Sequence, residues 1–102
     1  MSETPLSITV DEQAAATVVR VAGDLPASQA GVLEDTVLPL LAGPGTDIEV
    51  DLSGVTFLSS TGLAVLVQLA RRSKHAKRAL RYSRPSAHIE RMLRIANLPV
   101  AG

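Results

Sequence analysis

Apolar and polar residues alternate over Leu6-Ser7-Ile8-Thr9-Val10, the period of a half-buried strand. A polar turn near Asp11 and Glu12 follows, and Thr17 to Ala22 is β-branched and mostly apolar, with Gly23 closing it. The two segments predict an antiparallel pair. From Ser28 to about Leu41 the apolar positions Val32, Leu33, Val37, Leu40 and Leu41 fall at helical spacing, and Gly31 and Pro39 weaken that helix. Gly43-Pro44-Gly45 is a breaker, Ile48-Glu49-Val50-Asp51-Leu52 a strand, and Ser53 to Leu58 a short loop. Ser59-Ser60-Thr61 opens a helix running to about Ser73. Its core stripe is Leu63, Leu66, Val67 and Ala70, and Val65 and Leu69 extend the apolar surface almost all round, so it packs against a sheet. Lys74 to Arg78 is a basic loop, Leu80 and Tyr82 alternate with Arg81 and Ser83 in a last strand, and Ser86 caps a last helix. That helix turns Ile89, Met92, Leu93 and Ala96 inward.

The order β-β-α-β-α-β-α predicts an α/β fold: a small mixed four-stranded sheet flanked by helices, with one antiparallel hairpin and parallel neighbours joined by right-handed crossovers. A chain of 102 residues fits one domain spanning 1–102. The absence of cysteine excludes disulfides and thiolate metal sites and is compatible with a reducing cytoplasm. The opening residues Met1-Ser2-Glu3-Thr4-Pro5 are polar and acidic, unlike a signal peptide. The longest apolar stretch, Leu63 to Ala70, is interrupted by Gln68 and falls far short of the ~20 residues of a membrane span. The expected location is therefore cytoplasmic.

Net charge is zero but unevenly placed. Residues 1–59 carry nine carboxylates and one base, Arg20, whereas residues 60–102 carry nine bases and one acid, Glu90, so the halves stand at −8 and +8. One account is two interleaved halves of one domain; the other is a dipolar surface that orients a charged partner.

Most enzyme chemistries find no residues to carry them. The chain holds neither a GxxxxGK[ST] phosphate loop nor a GxGxxG turn after a strand. His75 and His88 have no second ligand at metal spacing, so no metal or cofactor is expected. Glu49 and Asp51 share the strand face opposite Ile48 and Val50, as strand-end carboxylates or as a pair in a cleft. Only Phe57 and Tyr82 are aromatic, too few to stack bases, so nucleic acid is not an expected partner. The expectation is a protein-binding domain without catalytic activity.

The informative stretch runs from Asp51 to Ala70, where a strand ends and three hydroxyl residues stand at the start of a buried helix. Serine and threonine are preferred N-caps, which accounts for one hydroxyl. A helix start also tolerates a phosphate, because its amides are unpaired and it carries partial positive charge. Phosphoserine there adds about −1.5 to −2 charge while sparing the core. Gly62 fits either account, since a missing side chain lets the helix start close to a neighbour.

Asp51-Leu52-Ser53-Gly54-Val55-Thr56-Phe57-Leu58-Ser59-Ser60-Thr61-Gly62-Leu63 resembles the signature of STAS domains, the anti-sigma factor antagonist family. Val21-Ala22-Gly23-Asp24-Leu25 is similar to an earlier family segment, and Arg84-Pro85-Ser86, Leu93 and Asn97-Leu98 match its usual last strand and helix. The resemblance implies an anti-sigma factor antagonist, phosphorylated on serine by an anti-sigma factor that is itself a kinase. The unphosphorylated form sequesters that kinase and frees a sigma factor; a phosphatase resets the switch. The acceptor maps to Ser60, with Thr61 and Ser59 as rivals, and the partner-binding rim to Asp24, Ser59, Ser60, Thr61 and Gly62. Two positions depart from the family pattern: Ser59 replaces an acid before the acceptor, and Pro26 stands where an acid is common. The alternative the resemblance implies is a constitutive STAS docking subunit of a lipid-transport ABC system or a stressosome-like scaffold, without a phosphoryl switch. Leu58 and Leu63 are expected in the core.

Overall fold

Ten consecutive residues, Ala16–Leu25, form the strand β2, second from one edge of the sheet. Ser7–Glu12 (β1) lies antiparallel along one side of it, Ile8 opposite Val21 and Val10 opposite Val19. On the other side Asp47–Leu58 (β3) runs parallel, followed by Leu80–Ser83 (β4) and the two-residue Val100–Ala101 (β5), all parallel. The four expected strands thus form the mixed sheet, and the short β5 is an addition at its far edge. A 3-10 turn over Ala27–Gln29 leads into α1 (Ala30–Ala42); α2 spans Ser60–His75 and α3 Ala87–Ile95. The computed structural model describes residues 4–43, 45 and 47–101. Met1, Ser2 and Glu3 of the polar N-terminus, Pro44 of the Gly43-Pro44-Gly45 breaker, Thr46 and Gly102 lie outside the described residues.

Strands β2 to β5 are adjacent in chain order, so every crossover steps the same way. Right-handed crossovers then place all three helices on one face of the sheet. The core agrees: Leu33 and Val37 of α1, Leu66 and Leu69 of α2, and Ile89 and Leu93 of α3 share one cluster with Val19, Val21, Ile48, Val50 and Tyr82. Each such fully buried aliphatic side chain is worth roughly 1.5–3 kcal/mol. Tyr82 is fully buried, and its hydroxyl donates to the Leu66 carbonyl at 2.7 Å. Burial pushes its phenol well above the usual range.

Three boundaries differ from the sequence expectation, each for a physical reason. Ser53–Leu58 is strand, continuing β3 alongside Ala22–Leu25. Its apolar positions lose their period because the register shifts twice, between Arg20 and Ala22 and between Gly23 and Asp24. Gly23 interrupts β2 at φ +86° without ending it. Lys74 and His75 belong to the last turn of α2, where with Arg72 they face the negative end of the helix dipole. Pro39 sits inside α1, and Arg78 closes that helix by donating to the carbonyls of Leu40 and Gly43.

Candidate functional site

The hydroxyl cluster lies where β3 hands over to α2. Ser59 is the N-cap: its backbone is extended (φ −75°, ψ 166°) and its Oγ accepts from the Gly62 amide at 2.9 Å. The same hydroxyl donates to the Leu25 carbonyl at 3.1 Å, and the Ser59 amide donates there too. Both lone-pair and proton capacity of Ser59 are therefore committed to joining the helix start to the end of β2. Ser60 and Thr61, the first two helical residues, are exposed, and among the described residues neither hydroxyl has a partner. Their amides have no carbonyl one turn back to accept them. No acid stands in the first turn of α2. An exposed hydroxyl thus lies beside unpaired amides at the positive end of a 16-residue helix.

Gly62 makes this junction possible. A Cβ there would lie 2.8 Å from Leu58 Cδ1 and 3.1 Å from the Leu25 carbonyl oxygen. A side chain there would displace the Leu58 side chain and press on the Leu25 carbonyl, so glycine favours this close start of α2 against β2. The expected core residues follow: Leu58 is buried and Leu63 is packed against the core.

Asp24 belongs to the same edge, one residue before Leu25, but its carboxylate is already engaged. Oδ1 accepts from the Thr56 hydroxyl at 2.6 Å and Oδ2 from the Thr4 amide at 3.3 Å. The Asp24 amide donates to the Thr4 carbonyl at 2.9 Å. Asp24 therefore fastens the segment at Thr4 and Pro5 across the end of β2. That crossing needs Gly23, where a Cβ would lie 2.0 Å from the Pro5 carbonyl oxygen. A shallow hollow of about 250 Å³ lined by Thr4, Pro5, Leu6, Asp24, Pro26 and Gln29 lies beside it.

The structure thus brings Asp24, Ser59, Ser60, Thr61 and Gly62 to one edge, with Thr56 and Phe57 as additions. Phe57 is the register partner of Asp24 and 51% exposed, an apolar side chain at the rim. Both additions fall in the stretch that reads as a loop, where no period marks which side chains face outward. Pro26, the other departure from the family pattern, is half-buried just past Leu25.

Elsewhere, His75 and His88 are both exposed, in α2 and α3 respectively. Among the described residues no group of three His, Asp or Glu is close enough to hold a metal. No described helix is long and apolar enough to cross a membrane. Glu49 and Asp51 lie on the sheet face away from the helices: Glu49 accepts from the Ser83 hydroxyl at 2.9 Å, and Asp51 from the Ser53 amide at 2.9 Å.

A protein-family model described as "Mlab, STAS domain" matches residues 8–99. Among solved structures, the chain is similar to an anti-sigma factor antagonist from Mycobacterium paratuberculosis (22% identity, TM-score 0.80, covering 91% of this chain and 79% of that one). It is also similar to the Bacillus cell fate determinant SpoIIAA in its phosphorylated form (15% identity, TM-score 0.75, covering 90% and 85%). A third likeness is to the murine anion transporter Slc26a9, where the match has 16% identity and TM-score 0.67 and spans 83% of this chain but 14% of that one. At these identities the likeness is one of fold. No curated protein sequence matches the chain.

Proposed function

The chain belongs to the STAS family, and we propose that within it the chain acts as an anti-sigma factor antagonist switched at Ser60. The observation that carries this reading is the division of labour between two adjacent hydroxyls. Ser59 holds the helix cap, which leaves Ser60 exposed and unbonded one residue later. A kinase can take up Ser60 Oγ without breaking an intramolecular bond. The phosphate then lies at the free amides of Ser60 and Thr61, where a negative group is stabilised by about 0.3–1 kcal/mol. Phosphorylation on this account changes the charge of the rim and leaves the fold intact. The existence of SpoIIAA structures in both phosphorylated and unphosphorylated forms, each sharing this fold, supports that view.

In the proposed cycle the unphosphorylated rim, Asp24, Ser59, Ser60 and Thr61, docks on an anti-sigma factor serine kinase and releases a sigma factor, whereas Gly62, expected in that rim, is buried beneath it and sets the helix start. Phosphorylated Ser60 repels that partner, and a phosphatase restores the hydroxyl. The chain binds and is modified; it catalyses nothing itself and works in the cytoplasm. Ser59 takes the place of the family's acid without loss of the cap, because its oxygen accepts the same amide a carboxylate would. Thr61 is the weaker candidate acceptor: it is exposed but sits one residue further into the helix.

The test is capture from host extract with wild-type protein, Ser60→Ala and Ser60→Asp. A serine kinase is expected with the wild type and Ser60→Ala and absent with Ser60→Asp. Equal capture by all three would remove the switch. That outcome would favour a constitutive STAS docking subunit of a larger assembly, the reading supported by the Mlab description of the matching family model and by the absence of an acid before Ser60.

A further inference from the structure

Parallel strands ordinarily have both faces covered, because their crossovers supply helices to each side. Here, among the described residues, three of the four strand pairings are parallel, yet α1, α2 and α3 lie on one face. The other face carries a shallow hollow of about 420 Å³ whose walls include Val18, Arg20, Glu49, Asp51 and Arg81. An apolar cover does not fit this face, which is built from charges. Their order across the strands is informative.

Two neighbouring rows cross the open face from β1 to β4. One reads Asp11, Val18, Glu49, Arg81; the next reads Thr9, Arg20, Asp51, Ser83. We propose that this face pairs with the same face of a second copy, about a twofold axis parallel to the strands and lying between β2 and β3. That axis sets β1 opposite the partner's β4 and β2 opposite the partner's β3. Asp11 then meets the partner's Arg81, both with exposed side chains, while Arg20 and Thr9 lie over the partner's Asp51 and the partner's Ser83, which are largely buried within each copy. Glu49 meets the partner's Val18, and no two like charges are opposed. Each contact occurs twice, as an isologous interface requires.

The alternative axis, across the strands, sets Glu49 over the partner's Asp51 and is repulsive. Charge order therefore selects one packing. The selected arrangement is the aligned packing of two sheets, with strand directions within about 30° and faces ~10 Å apart. The charged side chains are already paired within each copy. Arg20 Nη1 lies 3.3 Å from Asp11 Oδ2, and Arg81 Nη2 lies 3.9 Å from Glu49 Oε1. The two pairs are partly exposed and leave capacity for a third group. Four strand widths give a patch smaller than the ~800 Å² per partner of a standard interface. The association is accordingly weak, concentration-dependent and sensitive to salt. It also leaves the rim at Ser60 accessible, since that rim belongs to the edge where α2 begins.

Charge reversal with mixing tests the pairing by sedimentation equilibrium, from about 10 µM to about 1 mM at low salt. Wild type is expected to dimerise and to dissociate as salt is raised. Asp11→Arg faces the partner's Arg81, and Arg81→Glu faces the partner's Asp11, so each variant alone should bind itself about tenfold or more weakly. An equimolar mixture restores both contacts and should dimerise again. In one chain these two positions lie three strand spacings apart, ~14 Å, so repair within a copy cannot produce that result. Thermal unfolding of each variant confirms that it is folded. A wild type that stays monomeric at low salt overturns the proposal. So does a dimer indifferent to both reversals, or a mixture of folded variants that stays monomeric.

Discussion

Helices α2 and α3 begin in the same way and end up with different capacities. Each follows a parallel strand, and each is capped by a serine, Ser59 or Ser86, that accepts from the amide three residues on. The bond is 2.9 Å at Gly62 and 3.4 Å at Ile89. Beyond the cap they diverge. The start of α2 has Ser60 and Thr61 exposed and no acid in its first turn, whereas α3 has Ala87 and His88 and places Glu90 there. At the third helical residue α2 has a glycine pressed against β2, and α3 has Ile89 buried in the core. A serine cap alone is therefore a structural device. A candidate switch needs a second hydroxyl with nothing to bond and a helix start otherwise free of negative charge.

The largest effects are expected at the third helical residue. Ile89→Ala should cost about 2–4 kcal/mol, because it empties a fully buried site. Gly62→Val should cost roughly 1–3 kcal/mol for the opposite reason, since the new atoms meet Leu58 and the Leu25 carbonyl. Urea unfolding of the two variants measures both. Ser59→Ala should cost ~1 kcal/mol and Ser86→Ala ~0.5 kcal/mol, because Ser59 makes the shorter cap bond and a second bond to the Leu25 carbonyl. Equal losses would mean that the second bond of Ser59, to the Leu25 carbonyl, adds nothing.

At the first helical residue, Ser60→Asp and Ala87→Asp should each stabilise by about 0.3–1 kcal/mol through the helix dipole. Only Ser60→Asp should change partner capture. If Ala87→Asp does the same, the effect is one of overall charge and the rim has no special role. The smallest effect is expected far from both helices, on the open face. Hydrogen bonding from Gln13, then from Arg20, holds the Asp11 carboxyl below its ordinary 3.8. A lowered folded value contributes stability above pH 3.8 that is lost as pH falls through it. Asp11→Asn should remove only that small acid-limb dependence, seen in midpoints measured between pH 5 and pH 2.

Much of the fold is legible in the chain because its periods are clean. Alternation marks β1, β2 and the first half of β3, and the serine caps mark α2 and α3. The second half of β3 is hidden because two register shifts scramble its alternation, and glycines at 23 and 54 mimic loop composition. Asp24 and Ser60 are legible as members of one motif-bearing edge. What distinguishes Ser59 from Ser60 is not, because identical side chains take different roles only once the Leu25 carbonyl is in place. Thr56 escapes for the same reason: its bond to Asp24 spans 32 residues.

The switch at Ser60 is tested most directly by intact mass with site mapping on the protein purified from its own host, across growth and stress conditions. The account predicts partial addition of one phosphate, localised to Ser60, in at least one condition. No phosphate in any condition, or phosphate confined to Ser59 or Thr61, would contradict it.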